Sequence, residues 1–515
     1  MVKALSVLVT VMFGIVIVMP YALIATLIVL LLELGLWIPN KGHLRLWAAV
    51  TLSLLMPISI LTAASYVNVY SVLFVILSGY RGVNLARLIL QRRQADHLYT
   101  VTRRTSLWLM AVQLVTILLV VTATDSSVRY GSLALLIVIL VGSVVIAAAT
   151  QRNLRKTRPS TIGEISIGEL PTLSVLIPAR NETNDLSECL ESLILSTYPK
   201  LEIIVLDDCS QNKRTPEIIK GFAHDGVRFI AGGPVPPHWL AKNYAYDQLS
   251  TAASGELVLF CGVDTRFKPE TLGIMVQELL QKQKTMISFI PANLAPSPFE
   301  FESLMVQPSR YAWELALPRR SLHRPPVLST AWLIRRETLL ASGCFKAGAR
   351  AATPEHLFAH WAATHGDGYS FQQSDTEHGV MSVKSFSDQR TTAIRTRYPQ
   401  LHQSLEFTAL VSVLELLILV VPFILYVTSL LRHQMLLFIV VDIAAILLIS
   451  MYAQICTLTY RKFLVRSIWL LPFAAIYDVV LLNYSMYKYE FSSVEWKGRN
   501  VCIPVMQIID HLPKP

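Results

Sequence analysis

Apolar runs long enough to cross a bilayer, which takes about 20 residues as helix, fall near residues 5–37, 46–79, 106–124, 131–149, 408–430 and 435–456, with a broken run at 467–487. Between 150 and 407 there is none. The pattern predicts transmembrane regions at 1–150, with about four or more spans, and at 408–490, with two clear spans and a third or re-entrant segment. The first two runs exceed one span and hold Pro20 and Pro57, so each fits either one tilted helix or a tight hairpin. Hydrophobicity continues through the N-terminus without the short core and cleavage site of a signal peptide, so a retained helix is expected. In the last run Pro472, Asp478 and Asn483 interrupt the apolar character. A full crossing would carry the tail, 491–515, to the far side; a re-entrant or interfacial segment, the expected case, keeps it near the central region.

From 171 onward the pattern changes period. "LSVLIP", "DLSECLESLILSTYP", "LEIIVLD", "TPEIIKGFAHDG" and "VRFIAG" read as strand, helix, strand, helix, strand, followed by a helix in "AKNYAYDQLSTAAS" and a strand in "ELVLFCGVD". That order implies parallel strands joined by right-handed crossovers, an α/β layered domain over 171–407 behind a basic linker, 151–170. In such sheets ligands bind beyond the carboxyl ends of the strands. Polar residues collect there: Arg180, Asn181 and Glu182 after the first strand, Asp207 and Asp208 after the second, Asp264 after the fourth. Turn and helix-capping roles account for any one cluster; three at successive strand ends point to a binding site. "IPARNETND" contains no glycine, which argues against dinucleotide and P-loop cradles.

Composition and charge set the surroundings. With 53% hydrophobic residues, 16% charged residues and a mean hydropathy of +0.48, the chain reads as a membrane protein carrying an added domain. Arg81, Arg87, Arg92, Arg93, Arg103 and Arg104 cluster between spans, and Arg152, Arg155, Lys156 and Arg158 follow the run at 131–149. The positive-inside rule puts both groups, and the central region, in the cytoplasm beneath a bacterial-type cell membrane. The net charge of +10 suits a protein lying on anionic lipid, and no nucleic-acid partner is expected. Six cysteines without a CxxC pair or a histidine at metal spacing give neither a disulfide framework nor a zinc site. The N-terminal spans carry almost no buried charge, Glu33 excepted.

"LSVLIPARNE", "EIIVLDDCS", "HWLAKNYA", "GELVLFCGVDT" and "WLIRRETLLASGCF", in that order and spacing, resemble the cytosolic domain of family 2 glycosyltransferases. The likeness is nearest to membrane-embedded enzymes acting on carotenoid acids, hopanoids, diacylglycerol or ceramide, and "VEWKGRN" resembles a basic tryptophan motif of that group. The resemblance implies an α/β GT-A fold, Rossmann-like with a mainly parallel sheet, as a cytosolic domain inserted between α-helical transmembrane bundles. It implies a UDP-sugar donor and a lipid acceptor, Mg2+ or Mn2+ as cofactor, and an inverting reaction in which a base deprotonates the acceptor hydroxyl. Ala179, Arg180, Asn181 and Glu182 match the segment beside the nucleotide, with Asp207 and Asp208, the latter at the position that contacts uracil. Trp239, Lys242 and Asn243 match the stretch near the donor phosphates, and Asp264 the last acid of the metal-binding DXD motif.

Three departures stand out. Gly262 replaces the first acid of DXD. Where the family places Glu-Asp, with the second acid as base, this chain has Glu355 and His356, which also fit the first turn of a helix after Thr353 and Pro354. "IRTRY" at 394–398 replaces the QxxRW motif of processive members, leaving Arg395 and Arg397 as phosphate-side candidates or a basic membrane-facing edge; Trp496 and Arg499 are candidates on the same side. "GDGYSFQQSDTEHGVMS" reads as a polar loop in which Asp375, Glu377 and His378 are alternative bases, and "SRYAWELALPRRSLHRPP" as an interfacial helix with Tyr311 and Trp313 at headgroup level. A lipid glycosyltransferase is therefore the first reading and a polysaccharide synthase the runner-up. A catalytically impaired glycosyltransferase-like scaffold is the rival from another class, and a lipid or glycan transporter the third.

Overall fold

The computed structural model of the chain describes residues 21–36, 42–66, 68–90, 96–159, 170–237, 239–293, 302–316, 325–366, 368–375, 377–433, 435–462 and 464–502. Much of the first apolar run, Arg92, Arg93, most of the linker and 317–324 lie outside them. The N-terminal region holds α1 (Tyr21–Leu36), α2 (Gly42–Ala64), α3 (Val69–Leu90), α4 (Asp96–Thr122) and α5 (Asp125–Lys156). The 46–79 run is a hairpin, but its break falls at Ser65–Asn68 and Pro57 stays inside α2. The turn between α4 and α5 is closed by a capping box in which Thr124 and Ser127 satisfy each other's backbone N–H groups.

The central sheet explains itself through burial. Strand β1 (Leu173–Ala179) alternates its side chains between two cores: Val175 and Ile177 pack with Leu186, Leu190 and Leu193 of α6 (Asn184–Ile194), whereas Leu176 faces Ala245, Tyr246 and Leu249 of α8 (Ala241–Ala252). A strand covered on both faces has no polar side to show, hence the unbroken apolar run. The buried residues of α6 recur at helical spacing, Leu186, Cys189, Leu190 and Leu193.

The remaining strands are β2 (Leu201–Asp207), β3 (Val227–Ala231), β4 (Leu257–Cys261), β5 (Thr265–Arg266), β6 (Met286–Ile290), β7 (Ala292–Asn293), β8 (Ala331–Arg335), β9 (Tyr369–Gln373) and β10 (Met381–Ser382). The main sheet runs β3-β2-β1-β4-β8-β6-β9, with β8 antiparallel to both neighbours and every other pair parallel. This is the mainly parallel GT-A sheet expected. A separate small sheet runs β5-β10-β7. The helices between are α7 (Arg214–Gly221), α9 (Thr271–Gln281), α10 (Glu302–Ala316), α11 (Arg336–Ala341), α12 (Glu355–Thr364) and α13 (Phe386–Gln400).

Two expectations are corrected here. The segment read as a polar loop supplies β9, the edge strand paired with β6, and β10. Nor is α10 an interfacial helix with aromatics at headgroup level: Tyr311 and Trp313 are buried, the Tyr311 hydroxyl donating to the Pro291 carbonyl at 2.9 Å and the Trp313 ring lying under the Arg397 guanidinium.

Beyond α13 come α14 (Leu405–Leu419), α15 (Val421–Leu431), α16 (Met435–Tyr460), α17 (Ser467–Phe491) and the hairpin β11 (Val494–Trp496) and β12 (Arg499–Cys502). Among the described residues six helical stretches are long and apolar enough to cross a membrane, one of them α14 and α15 run together. Both ends of α17 lie on the domain side. Near its start, Leu471 and Ala474 share a buried cluster with Ile290 of β6 and Phe371 of β9; near its end, the Tyr489 hydroxyl donates to the Arg395 carbonyl at 2.7 Å. Along its other face Trp469, Phe473, Ile476, Val480, Tyr484 and Tyr487 form an exposed apolar stripe at helical spacing. Arg81, counted as a loop residue, is instead buried within α3, where its guanidinium pairs with Glu33.

Candidate active site

Strand β1 pairs with β2 on one side and β4 on the other, so the residues after these strands converge at one edge of the sheet, strands lying about 4.8 Å apart. Two groups form there. In the first, Arg180 donates from its guanidinium to the Asp208 carbonyl at 2.7 Å and the Cys209 carbonyl at 2.9 Å. Asn181, at φ 52, donates its N–H to Ser210 and accepts on Oδ1 from the N–H groups of Gln211 and Asn212, tying the end of β1 to the turn after β2. Asp207 accepts the Ser210 N–H at 3.2 Å and so does turn-closing work, while Ala179 is wholly buried and its carbonyl accepts the Asp208 N–H.

The tail completes this group. Lys497 and Gly498 take positive φ of 48 and 73, the two-residue turn that joins hairpin strands, so the tryptophan and arginine of "WKGR" face each other in the ladder as the pair Trp496 and Arg499. The turn docks on the first group: the Lys497 ammonium pairs with Glu182, its carbonyl accepts from Arg180 at 3.2 Å, and Arg499 binds both carboxylate oxygens of Asp208 at 2.8 Å. Burial pushes the Asp208 carboxyl above its usual range although Arg499 draws it down, and burial lowers Lys497 to about 8.

The second group is a half-buried cluster of charge, with Glu355 its one fully buried member. Lys242, on the first turn of α8, lies 5.4 Å from the Tyr246 ring centre; burial lowers its ammonium to about 8, with Glu355 opposing that shift and Arg395, Lys384 and Asp264 also in electrostatic reach. Burial alone would raise the Asp264 carboxyl, but the Lys384 ammonium at 3.0 Å, with Lys242, holds it below the ordinary carboxylate value. Burial lowers Arg395, which feels Glu355 and Asp264. Asn243 is a scaffold for this group: its side-chain amide donates to the carbonyls of Gly348, Ala349 and Ala351 at 2.8, 3.2 and 2.9 Å, holding the loop that leads into Glu355. Trp239 packs half-buried against the same core, edge-on to Tyr244.

The paired candidates separate. Glu355 is buried within reach of Lys242 and Arg395, whereas His356 lines a different cavity, about 480 Å³, between Ala351–Thr353, Pro399–Gln403 and Val501. On α13 residues two apart project about 200° from each other. Arg395 accordingly turns to the cluster, and Arg397 to Asp478 of α17 and the Trp313 ring. Asp375 closes a turn by accepting the N–H groups of Glu377 and His378, and its carbonyl accepts from Arg461. Sequence reasoning missed Lys384 and Tyr246. Lys384 follows a two-residue strand that carries no recognisable pattern of its own.

Residues 174–340 match the sequence profile described as Glycosyl transferase family 2. A probable glycosyltransferase, YdaM, of Bacillus subtilis is 31% identical over 140 residues, 26% of this chain and 31% of that protein. The 4,4'-diaponeurosporenoate glycosyltransferase of Staphylococcus haemolyticus is 30% identical over 138 residues, 26% of this chain and 36% of its own. The chain thus spans about a third of the length of these relatives. Among solved structures, a mannosyltransferase from Pyrobaculum calidifontis in complex with GDP-Man and Mn2+ aligns over 69% of this chain and 96% of its own at 17% identity and a TM-score of 0.40.

Proposed function

We propose, from the match of residues 174–340 to the glycosyl transferase family 2 profile, that the protein is a membrane-integral, inverting glycosyltransferase that moves a sugar from a UDP-sugar to a lipid acceptor. One observation carries the reading: Lys242, Asp264 and Glu355 come from three separate segments and lie within electrostatic reach of one another, at the same sheet edge that carries Asp208 after β2. The uracil is assigned to the first group, beside Arg180 and Asp208, with Arg499 of the tail closing over it. The diphosphate is assigned to Lys242 and its neighbours, where fixed cations in a half-buried site offset the charge that grows as the glycosidic bond breaks.

Glu355 is assigned as the base. It accepts the acceptor hydroxyl proton while that oxygen attacks the anomeric carbon from the face opposite the diphosphate. The acceptor approaches from the side of α10, α13 and α17, helices that join the domain to the membrane region; a relative named for 4,4'-diaponeurosporenoate supports a lipid here. Arg152, Arg155 and Lys156 end α5 on the domain side, which supports a cytoplasmic domain. The polysaccharide synthase reading is disfavoured by Arg397, at the QxxRW arginine position, which is engaged by Asp478.

A divalent metal is typical of the fold, and the resemblance puts Mg2+ or Mn2+ on Asp264. The side chains present do not fit it. Among the described residues no three His, Cys, Asp or Glu are grouped to hold a cation, and the one carboxylate at the position already has Lys384 as its partner. No step is routed through a metal. The test is UDP release by purified full-length protein in lipid vesicles given UDP-sugars and membrane lipids. Release that depends on added lipid and is lost in Glu355→Gln is expected; no release with any lipid would favour a scaffold without turnover.

A further inference from the structure

The place of the missing first acid has been taken over by the second. A Cβ built on Gly262 would stand 2.4 Å from Oδ1 of Asp264, so the Asp264 carboxylate leans across Gly262, into the space a side chain there would need. Its other oxygen meets the Lys384 ammonium at 3.0 Å, with both side chains largely buried. Backbone register delivers that lysine. Strand β10 runs antiparallel to β5 with Ser382 opposite Thr265, the next N–H, Val383, donates to the Asp264 carbonyl at 2.9 Å, and Lys384 follows. Ser385 then caps α13 by accepting the Asp388 N–H, which fixes the point at which the chain leaves the sheet.

Charge balance points the same way. Lys242, Lys384 and Arg395 act on Asp264 and Glu355, and Arg310, itself beside Glu314, also acts on Glu355, so cations outnumber carboxylates by one. A divalent cation would enlarge the positive surplus, and the carboxylate that would hold it, Asp264, is already engaged by Lys384. A diphosphate would neutralise the surplus.

We propose that Lys384, together with Lys242, takes the place of the metal: it leaves Asp264 to bind the β-phosphate of the donor, so nucleotide binding and sugar transfer need no divalent cation. The proposal rests on the donor site described above. As the bond from the anomeric carbon to the β-phosphate oxygen breaks, its electron pair stays on the diphosphate, where the two ammonium groups donate hydrogen bonds. The anomeric carbon bonds to the acceptor oxygen and that oxygen's proton passes to Glu355. Asp264 serves as the resting partner that holds Lys384 in position between turnovers.

The test is titration calorimetry of the full-length protein in lipid nanodiscs with UDP and with GDP, in chelator and again with Mn2+. The unmodified protein is expected to bind UDP with closely similar affinity in both conditions. Lys384→Met should lose about tenfold or more in chelator, the size of a charge-assisted contact, and Lys384→Arg should retain most of the affinity. Binding that requires Mn2+ in the unmodified protein, or a Lys384→Met variant that binds as tightly as the parent in chelator, overturns the proposal and leaves the donor site standing. Failure of both nucleotides to bind under every condition overturns the donor site and the proposal with it. If Lys384→Met does not fold, the chelator arm on the unmodified protein decides alone.

Discussion

Arg81, buried in the N-terminal bundle, and Lys242, half-buried at the strand ends, are cations in opposite electrostatic circumstances. All three guanidinium nitrogens of Arg81 are engaged: two by Glu33, with a 2.9 Å contact from Nε, and one by Gln113, which in turn donates to Ser78 at 2.9 Å; Ser106 donates to the second Glu33 oxygen. One arginine meets one glutamate and the cluster is closed. Lys242 shares its surroundings with Lys384 and Arg395 against Asp264 and Glu355, and its ammonium is lowered to about 8 by burial. A balanced, hydrogen-bonded pair locks helices together; an unbalanced cluster beyond strand ends suits the anionic diphosphate proposed to bind there. The same contrast recurs two residues apart on α13, where Arg397 is paired with Asp478 and Arg395 faces the cluster.

The contrast breaks most sharply on the base. Glu355→Gln should lower turnover by about 10²–10⁴-fold with little change in nucleotide affinity, whereas His356→Ala should leave turnover within a few-fold; initial rates and calorimetry separate the two. In the closed cluster, Arg81→Ala should cost about 3–5 kcal/mol by stranding Glu33, seen in thermal unfolding, without altering nucleotide affinity of the folded protein. Lys242→Met should do the reverse, leaving stability unchanged or higher and weakening UDP binding by about tenfold, or ~1.4 kcal/mol.

Titration gives a smaller effect with a definite sign. Lys242 is charged below about 8 and neutral above it, and the diphosphate binds the charged form. UDP affinity should therefore hold near neutral pH and fall as pH rises through about 8, and the fall should shrink in Lys242→Met to what Lys497, also lowered to about 8, contributes. Smallest of all, Gly262→Ala places a methyl 2.4 Å from Asp264 Oδ1; the carboxylate must swing away from Lys384, at a cost of about 1 kcal/mol in stability and a few-fold in UDP affinity.

Much of this was legible in the chain. The unbroken apolar run of β1 and the helical spacing of Leu186, Cys189, Leu190 and Leu193 follow from a sheet buried on both faces, so local pattern and tertiary role coincide. Strand β9 was hidden because "YSFQQ" is polar, which an edge strand tolerates with only one neighbour to satisfy. Tyr311 and Trp313 looked interfacial because their ring chemistry suits headgroups, yet it equally suits a buried hydroxyl with a carbonyl partner and a ring beneath an arginine. Lys384 could not be read at all: its place depends on the register of two-residue strands and on the space that Gly262 leaves. Likewise the docking of Arg499 on Asp208 joins residues 291 positions apart, and only the "WKGR" motif hinted at it.

The most direct test follows the sugar itself. Full-length protein in lipid vesicles is given radiolabelled UDP-sugars, and the products are partitioned between organic solvent and water. Label appearing in the organic phase, and absent with Glu355→Gln, is the expected result. Label confined to free sugar or to a water-soluble polymer, or passed to lipid equally well by Glu355→Gln, would contradict a strand-end site that transfers sugar to a membrane acceptor.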